Sequence, residues 1–321
     1  MRVTFSISGL SQKLIVNYII LNMKTPLSIK ALLLLFTFTL ASSCGPDRRE
    51  EVDFDQFEGY WFQGKAEISS FDLVQYRYGE AREGEAVMVF VTEDFSKKKQ
   101  VKLDDPEAAG RDAVKVLKMN KTKDFITGIY PYHMMLSVFT PVFDPSHAIK
   151  VNATAQEWCG HTFTQINQGA NQYKGQAFSY FETEGDQNFT LKGFPEDDLW
   201  NLIRINPNQI PTGTVTLIPS LMNQRLSHEK FEDQEAEIAL TDSGENFQEL
   251  TVAYAHGKRI LKIRYYNYFP FEITGWDEIQ VFDDGTSQTT SAKRKAMIQI
   301  DYWTKNSLED ERFRRQLKLR Q

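Results

Sequence analysis

The chain has 321 residues, of which 41% are hydrophobic and 25% charged, and this globular composition excludes a disordered, collagen-like or many-spanning membrane protein. Its 37 basic and 43 acidic residues leave a net charge of −6. This balance argues against a nucleic-acid partner, because nucleic-acid-binding domains carry clustered basic charge. Two cysteines are too few for a disulfide framework.

The N-terminal segment has the pattern of an export signal. Two lysines flank the start of an apolar run over residues 31–40. A run of about ten residues fits a signal-peptide core, whereas a membrane-spanning helix needs about twenty. Met23 begins this signal more naturally than the first residue does, because residues 1–22 place a second apolar patch upstream. We therefore predict that residues 1–43 are a signal peptide whose true start is Met23.

The signal ends in small residues and a cysteine, Leu40-Ala41-Ser42-Ser43-Cys44. This order resembles the lipobox of bacterial lipoproteins, so we predict that Cys44 carries palmitate-type acyl chains; a plain secretory signal with an incidental cysteine is the alternative. Each buried methylene of such chains contributes about 0.8 kcal/mol to membrane anchoring. By resemblance to lipoprotein sorting, Gly45 after the cysteine favours the outer membrane. We expect the body to face the periplasm rather than the cell surface, on a lipidated tether over residues 44–56.

Strand patterns dominate the next 250 residues or so. Residues 71–78 and 85–91 predict a hairpin across a glycine-containing turn, and residues 250–255 and 259–266 predict a second one. In the return strand of the second hairpin, Leu261, Ile263 and Tyr265 share one face. Asp283-Asp284-Gly285 predicts the turn before the last strand.

Two segments have helical features. Pro131 to Phe139 begins with a proline, which suits a first helical turn, and its apolar residues lie at helical spacing. Pro195 to Ile205 begins with a proline and three acids, which favour the positive end of a helix. The charged tail over residues 305–321 is expected to be a solvated terminus, with a final surface helix as the alternative.

These elements predict a mainly β fold, with a large antiparallel curved sheet or half-barrel and two or three short helices. No linker interrupts residues 57–304, so we expect them to form a single β-rich domain. The element order alone resembles the half-barrel carriers that escort lipoproteins across the periplasm.

The sharpest chemical cluster is Glu157, Cys159 and His161, which alternate along a predicted strand and would project from one face. A cysteine nucleophile with a base, or part of a metal site, is one interpretation. However, zinc prefers four ligands and no second close pair accompanies these residues in the sequence. The favoured interpretation is a half-buried strand with Cys159 as a small hydrophobic residue, without catalytic or metal-binding residues.

Other polar or aromatic clusters have structural readings as well. Glu182, Glu184 and Asp186 alternate as a catalytic carboxylate pair might, but the neighbouring glycine favours a solvated turn. Residues 196–198 are three acids best explained by helix-end electrostatics. The aromatic run over residues 265–271 is a candidate for stacking on a sugar or an apolar ligand, with a core role as the stronger alternative.

Several strings together resemble one lipoprotein family of Bacteroidota-type bacteria, whose members are often labelled "septum formation inhibitor Maf". They are YWFQGKAEIS (60–69), TGIYPYHMMLSVFTPVF (127–143), QEWCGHTFTQIN (156–167), SYFETEGDQNF (179–189), PTGTVTLIPS (211–220) and TTSAKRKAMIQIDYW (289–303). The resemblance implies an envelope location and a β-rich fold. Maf proteins proper are cytosolic α/β nucleotide pyrophosphatases with a Ser-Arg-Arg-rich phosphate motif. This chain has an export signal and lacks that motif, so the resemblance implies no catalytic residues.

The sequence therefore predicts a non-enzymatic lipoprotein anchored in the outer membrane through Cys44. Its concave sheet would bind an apolar or envelope ligand. The first alternative is a structural or assembly lipoprotein that acts through a protein partner. The second is a cell-envelope hydrolase that uses Cys159 and His161 or the acidic group at residues 182–186. We expect no cofactor and no nucleic acid partner.

Overall fold

The computed structural model describes residues 53–143 and 147–320. The predicted signal peptide, Cys44 and tether residues 45–52 lie outside these ranges. The end of the predicted tether begins a helix, because the Asp53 side chain accepts a hydrogen bond from the Asp55 backbone and caps it. The described residues contain five α-helices: α1 (Phe54–Trp61), α2 (Pro106–Ala109), α3 (Leu199–Ile205), α4 (Leu221–Ser227) and α5 (Glu311–Gln316). None of these five is long and apolar enough to cross a membrane.

Most of the described chain is in β-strands, which form one sheet. The strands are β1 (Ala66–Arg77), β2 (Glu80–Ser96), β3 (Ala113–Thr127), β4 (Tyr130–Pro141), β5 (Lys150–Glu157), β6 (Gly160–Gln168), β7 (Tyr173–Ser179), β8 (Gln187–Leu191), β9 (Phe194–Pro195), β10 (Gly213–Ile218), β11 (Gln234–Asp242), β12 (Phe247–Tyr254), β13 (Arg259–Tyr266), β14 (Ile273–Val281) and β15 (Ser287–Ile300). The predicted mainly β class is confirmed. The sheet is mixed only because β9 and β10 are parallel; the other neighbouring pairs are antiparallel.

The first and last strands pair with each other in the middle of the sheet. From this β1–β15 pair the chain meanders outwards, through β2 to β8 on one side and through β14 to β9 on the other. The two outermost strands, β8 and β9, are joined by Lys192 and Gly193 alone, so the two edges approach each other. A Cβ at Gly193 would lie 2.8 Å from Thr216 O, which explains glycine there. No ladder joins β8 to β9 in the described chain, so the sheet stays open.

A contact across the interior shows how strongly the sheet curves. Three strands separate Lys123 on β3 from Glu278 on β14, so these residues would be about 19 Å apart in a flat sheet. Their side chains nevertheless form an ion pair, with 2.7 Å between Lys123 Nζ and Glu278 Oε1. The sheet is therefore a half-barrel whose concave face encloses the inward side chains of both halves.

The concave face is covered by helices and apolar side chains. Helices α1, α3 and α4 lie within it, and all seven residues of α3 are buried. Trp200 of α3 packs edge-to-face against Trp276 of β14, with 5.5 Å between ring centroids. The main core cluster takes inward residues from strands β1 to β15. The interior is therefore a packed core rather than an open bowl.

The charged tail lies against the convex face of the sheet. After α5, Leu317 is only 5% exposed and packs with Ala66, Ile68 and Val91. Ser70 Oγ donates a hydrogen bond to the carbonyl oxygen of Leu317. The tail thus differs from the solvated terminus expected from its charge, because its leucines cover apolar side chains on the outer face.

Both predicted hairpins are confirmed. The first is β1–β2, with a tighter turn at Tyr78 and Gly79 than the sequence indicated. The second is β12–β13, in which the predicted inward residues Leu261, Ile263 and Tyr265 are buried. The turn predicted at residues 283–285 joins β14 to β15.

The helix predicted over Pro131–Phe139 is wrong, because this segment lies within strand β4. Tyr132, Met134, Leu136 and Val138 point into the core, whereas intervening side chains such as that of His133 are exposed. The period-two alternation and the ladders to β3 and β5 outweigh a short helical spacing. The second predicted helix, over Pro195–Ile205, is observed as α3 after a 3₁₀ turn at Glu196–Asp198.

Candidate functional site

The mouth of the half-barrel is the rim where β1, β3, β5 and β7 end. Helix α4 and the connection after it, residues 228–233, lie against this rim and plug the mouth. Three contacts attach the plug: Arg77 Nη1 donates to Leu226 O, Arg225 Nη2 donates to Glu157 Oε1 at 3.4 Å, and His228 Nδ1 pairs with Glu184 Oε1. His228 ends α4 with a left-handed backbone, φ 57°.

A cavity of about 430 Å³ opens beside the plug, between the ends of β1, β14 and β15. We call it the mouth pocket; its lining includes Gln75, Arg77, Tyr78, Asn223, Arg259 and Glu278. The wall is polar, because it combines amide, hydroxyl, guanidinium and carboxylate groups with tyrosine rings. Mouths of β-barrels are common ligand sites, and convergent polar groups fix a ligand's orientation there.

The floor of the mouth pocket rests on two buried ion pairs. Arg259 donates to both carboxylate oxygens of Glu196, and the Tyr254 hydroxyl donates to the same carboxylate. Next to it stands the pair of Lys123 and Glu278 described above, whose lysine also lies 3.4 Å from Gln75 Oε1. These two pairs place four buried charges beneath the pocket, each with an oppositely charged partner.

Burial and neighbouring charges shift the pKa of several groups near this floor. Burial raises the pKa of the Glu278 carboxyl, but the cations Lys123, Lys121 and Arg259 outweigh burial and hold that pKa at about 2. Burial lowers the pKa of Lys121 to about 8 and raises that of Asp197 to about 6. Such clusters occur at functional sites and also in structural ion networks.

Three buried N–H groups on residues of the pocket wall lack a hydrogen-bond acceptor among the described residues. They are Arg77 Nε, Asn223 Nδ2 and Arg259 Nε. Arg77 also has no carboxylate within 4 Å in this part of the chain; its guanidinium contacts Leu226 O and the Tyr78 and Tyr132 hydroxyls. Buried polar groups are normally paired, so three unpaired donors on residues of one pocket are unusual.

A second cavity, of about 410 Å³, lies on the other side of the plug. Its wall includes Arg225, His228 and Glu184. The Arg225 guanidinium lies over the Phe181 ring at 4.7 Å, and its Nε and Nη1 atoms are buried without a partner within the described residues. Gln224 Oε1, on the same wall, is likewise buried without a partner, so this side of the plug has unpaired donors and an unpaired acceptor.

The alternation predicted for Glu157, Cys159 and His161 is wrong, because Trp158 and Cys159 form the turn between β5 and β6. The Cys159 backbone N–H donates to Glu157 Oε2 at 2.5 Å. His161 lies away from them, on the outer face of the sheet. The structure thus brings Glu157 and Cys159 together and separates them from the imidazole.

The surroundings of Cys159 do not suit a nucleophile. Its thiol is exposed, and the hydrogen bond to Glu157 raises the pKa of the thiol above its usual value. Nucleophilic cysteines need a lowered pKa, which a neighbouring carboxylate opposes. The histidine of the plug, His228, is paired with Glu184 rather than with the Cys159 thiol. Across the described residues, no group of three histidine, cysteine or acidic side chains could hold a metal ion.

The predicted acidic group at residues 182–186 lies in the β7–β8 loop, as expected for a turn. Glu184 accepts a hydrogen bond from Ser179 Oγ at 2.7 Å and also pairs with His228. The other two acids, Glu182 and Asp186, are exposed. The group is therefore a loop that holds the plug, without a paired-carboxylate geometry.

Helix-end electrostatics do not account for residues 196–198, since all three acids are buried and each has its own partner. Glu196 binds Arg259, and Asp197 accepts the Leu221 backbone N–H at 2.9 Å. Asp198 accepts the Thr140 hydroxyl at 2.5 Å and the Ala148 N–H at 3.0 Å. These acids anchor α3 and α4 inside the half-barrel.

The aromatic run over residues 265–271 is divided between core and surface. Tyr265 and Phe271 are buried, and Tyr265 OH donates to Gln248 at 2.6 Å. Tyr268 is exposed, and its ring stacks with Tyr266 at the rim opposite the mouth. The run therefore belongs mainly to the packing of the β13–β14 connection.

Sequence reasoning missed the buried cations that support the mouth pocket. Lys121 and Lys123 share the parity of Met119 and Phe125 on β3, and Arg259 shares that of Leu261 on β13. The pattern contained this information, because side chains of one parity face one side of a strand. The acids that pair with Lys123 and Arg259, Glu278 and Glu196, lie far from them in the sequence.

Comparisons with family models and with curated proteins give no match to this chain. Among solved structures, the chain is similar to the crystal structure of a β-barrel-like protein of the domain of unknown function DUF1849 from Brucella abortus. The TM-score is 0.44 at 8% identity, over 74% of this chain and 98% of that one. A likeness of this size says nothing about ligand, activity or partner.

Proposed function

We propose that the protein is a non-enzymatic lipoprotein, anchored in the outer membrane through Cys44, whose half-barrel binds a small envelope ligand in the mouth pocket. The ligand carries a carboxylate or phosphate group. The body faces the periplasm. The export signal and the lipobox-like order before Cys44 support the anchor.

Three unpaired donors on residues of the mouth pocket carry the ligand proposal. Arg77 Nε, Asn223 Nδ2 and Arg259 Nε have no acceptor among the described residues, and an unmade buried hydrogen bond destabilises a protein by about 1–3 kcal/mol. An oxygen-rich anion supplies the missing acceptors. Arg77 is the natural anchor, because a guanidinium binds carboxylate and phosphate through a planar fork.

The packed interior favours a polar ligand over the apolar one expected from the sequence. Helices α1, α3 and α4 occupy the concave face, and the pocket that opens beside them is walled by polar and charged groups. The raised pKa of Cys159 and the separation of its turn from His161 disfavour the hydrolase alternative.

Replacing Arg77 with glutamine tests the ligand proposal. We expect the wild-type protein to bind N-acetylglucosamine 1-phosphate, measured by isothermal titration calorimetry, and to bind N-acetylglucosamine weakly. Arg77→Gln should weaken binding of the phosphate ester about 10- to 100-fold, because a charge-assisted hydrogen bond contributes about 1.5–3 kcal/mol.

Arg82→Gln is the matched control, since Arg82 stands on the neighbouring strand at the same rim and already pairs with Glu80. This variant should bind like the wild type. Failure of the wild type to bind the phosphate ester, or equal binding by Arg77→Gln, would contradict the proposal. Such a result would favour the alternative of an assembly lipoprotein that acts through a protein partner. Ile129 and Trp158, at turn tips of the same rim, are 82% and 69% exposed and could contact such a partner.

The anchor is tested through the two cysteines of the chain. Cys44→Ser should abolish incorporation of labelled palmitate and move the protein from the membrane fraction to the soluble fraction. Cys159→Ser should keep both the label and the membrane location, because Cys159 lies in an exposed turn of the folded body. Palmitate labelling that survives Cys44→Ser would refute the anchor.

A further inference from the structure

The convex face carries an open groove of about 720 Å³ across strands β3 to β7. Two neighbouring rows of side chains form it, and each row runs across the strands. The first row is Asp124, His133, Gln156 and His161; the second is Thr122, Met135, Thr154, Phe163 and Phe178. We call this surface the outer groove.

The second row carries the apolar side chains of the groove, Met135, Phe163 and Phe178, together with Thr122 and Thr154. The Phe163 and Phe178 rings are nearly parallel, at 20° and 6.4 Å between centroids, and Phe178 is 46% exposed. Met135 continues the row on β4 and is also exposed. Aromatic side chains left uncovered beside each other on a sheet face favour stacking with a flat ligand surface.

The first row supplies hydrogen-bonding groups. His133 Nδ1 lies 2.7 Å from Asp124 Oδ1, so the imidazole and the carboxylate form a hydrogen bond with each other. Gln156 and His161 follow in the same row and are exposed. Their amide and imidazole groups can each donate or accept a hydrogen bond, as hydroxyl groups on a ligand require.

The spacing of the rows fits a chain-like ligand. Each row advances from strand to strand by about 4.8 Å. A sugar ring in an extended, β-linked glycan advances by a similar distance, with its C–H face on one side and its hydroxyl groups at the edges. The first row therefore offers hydrogen-bonding side chains from β3 to β6, and Phe163 on β6 with Phe178 on β7 offers an apolar face beside its end.

We propose that the outer groove binds an uncharged, extended glycan of β-linked N-acetylated sugars. The sugar rings stack on Phe163 and Phe178, while their hydroxyl and amide groups bond to the Asp124–Gln156 row. Met135 receives the acetamide methyl groups. This site is separate from the mouth pocket and does not depend on a ligand there.

Binding of chitotetraose to the full-length protein in detergent, measured by isothermal titration calorimetry, tests this proposal. We expect chitotetraose to bind and maltotetraose, whose α-linked chain is curved, to bind at least tenfold more weakly. The double variant Phe163→Ala/Phe178→Ala should lose at least tenfold in affinity, whereas Phe178→Trp should retain binding because it keeps the stacking face.

Phe247→Ala is the matched control, because Phe247 is an exposed phenylalanine that packs beside Tyr266 on another strand pair. It should bind chitotetraose like the wild type, and so should Arg77→Gln. The proposal is overturned if the wild type binds no chitotetraose, if maltotetraose binds equally, or if the double variant or Phe247→Ala breaks this pattern. A negative result here does not bear on the mouth-pocket proposal, because that proposal is tested with other residues and another ligand.

Discussion

Glu67→Gln is expected to lower the free energy of unfolding by about 3–5 kcal/mol, because it leaves a buried arginine without its counter-charge. Arg204 is fully buried on α3, and its Nη2 donates to Glu67 Oε2 at 2.6 Å while Nη1 donates to Oε1. Its guanidinium also stacks between the Trp61 and Phe90 rings, each 5.0 Å away. The glutamine keeps the shape but removes the charge.

The same ion pair makes stability depend on acid pH. Burial raises the pKa of Glu67, but the Arg204 charge outweighs burial and brings that pKa below its usual value. A carboxyl with a lowered folded-state pKa contributes stability above its unfolded-state pKa, and this contribution is lost as the pH falls through the folded-state value. Wild-type protein should therefore lose its advantage over Glu67→Gln in acid.

Urea unfolding at pH 7 and at acid pH measures both effects. Glu80→Gln is the control, since Glu80 forms an exposed ion pair with Arg82, which typically contributes less than about 1 kcal/mol. A loss of stability in Glu67→Gln no larger than in Glu80→Gln would contradict the assignment. The double variant Glu67→Gln/Arg204→Met tests whether removing the partner charge as well restores stability.

Two neighbouring lysines of β3 should respond in opposite directions to replacement by methionine. Lys123→Met should destabilise the protein by about 3–5 kcal/mol, because it leaves the Glu278 carboxylate buried without its closest cation. Lys121→Met should instead stabilise it by about 1–2 kcal/mol at pH 7. Lys121 has no carboxylate within 4 Å in the described chain; its Nζ lies 4.1 Å from the Trp200 ring centroid.

The stabilising effect follows from the lowered pKa of Lys121. Its folded-state pKa is about 8 against a usual 10.5, and one pKa unit corresponds to about 1.4 kcal/mol, so burying the charge destabilises the protein by about 3 kcal/mol. Methionine also loses the cation–π contact with Trp200, about 1–2 kcal/mol, which reduces the gain.

The pH dependence distinguishes the charge from packing at residue 121. The destabilisation by charged Lys121 is complete below about pH 8 and disappears as the pH rises towards 10.5, so wild-type stability should rise over this interval. Lys121→Met should show no such rise. Guanidinium unfolding from pH 7 to 10 measures the difference, and parallel curves for the two proteins would refute the assigned cause.

Local patterns in the sequence were sufficient for the class of fold and for the hairpins. Alternation and turn residues identify β1–β2 and β12–β13, because each depends on contacts between segments close in sequence. The export signal and the lipidation of Cys44 also rest on neighbouring residues and stay predictions. The segment over residues 131–139 was misread because its backbone partners, β3 and β5, decide between strand and helix.

The candidate sites could be identified only from the folded structure. Lys123 meets Glu278, and Glu67 meets Arg204, across 155 and 137 residues of sequence. Curling of the sheet creates these contacts and places α4 at the mouth, and no short-range pattern encodes that curvature. The alternation of side chains along β3 and β13 is enough to show that Lys121, Lys123 and Arg259 face inwards. Which charges they meet, and which buried donors have no acceptor among the described residues, follows only from how distant segments approach when the core packs.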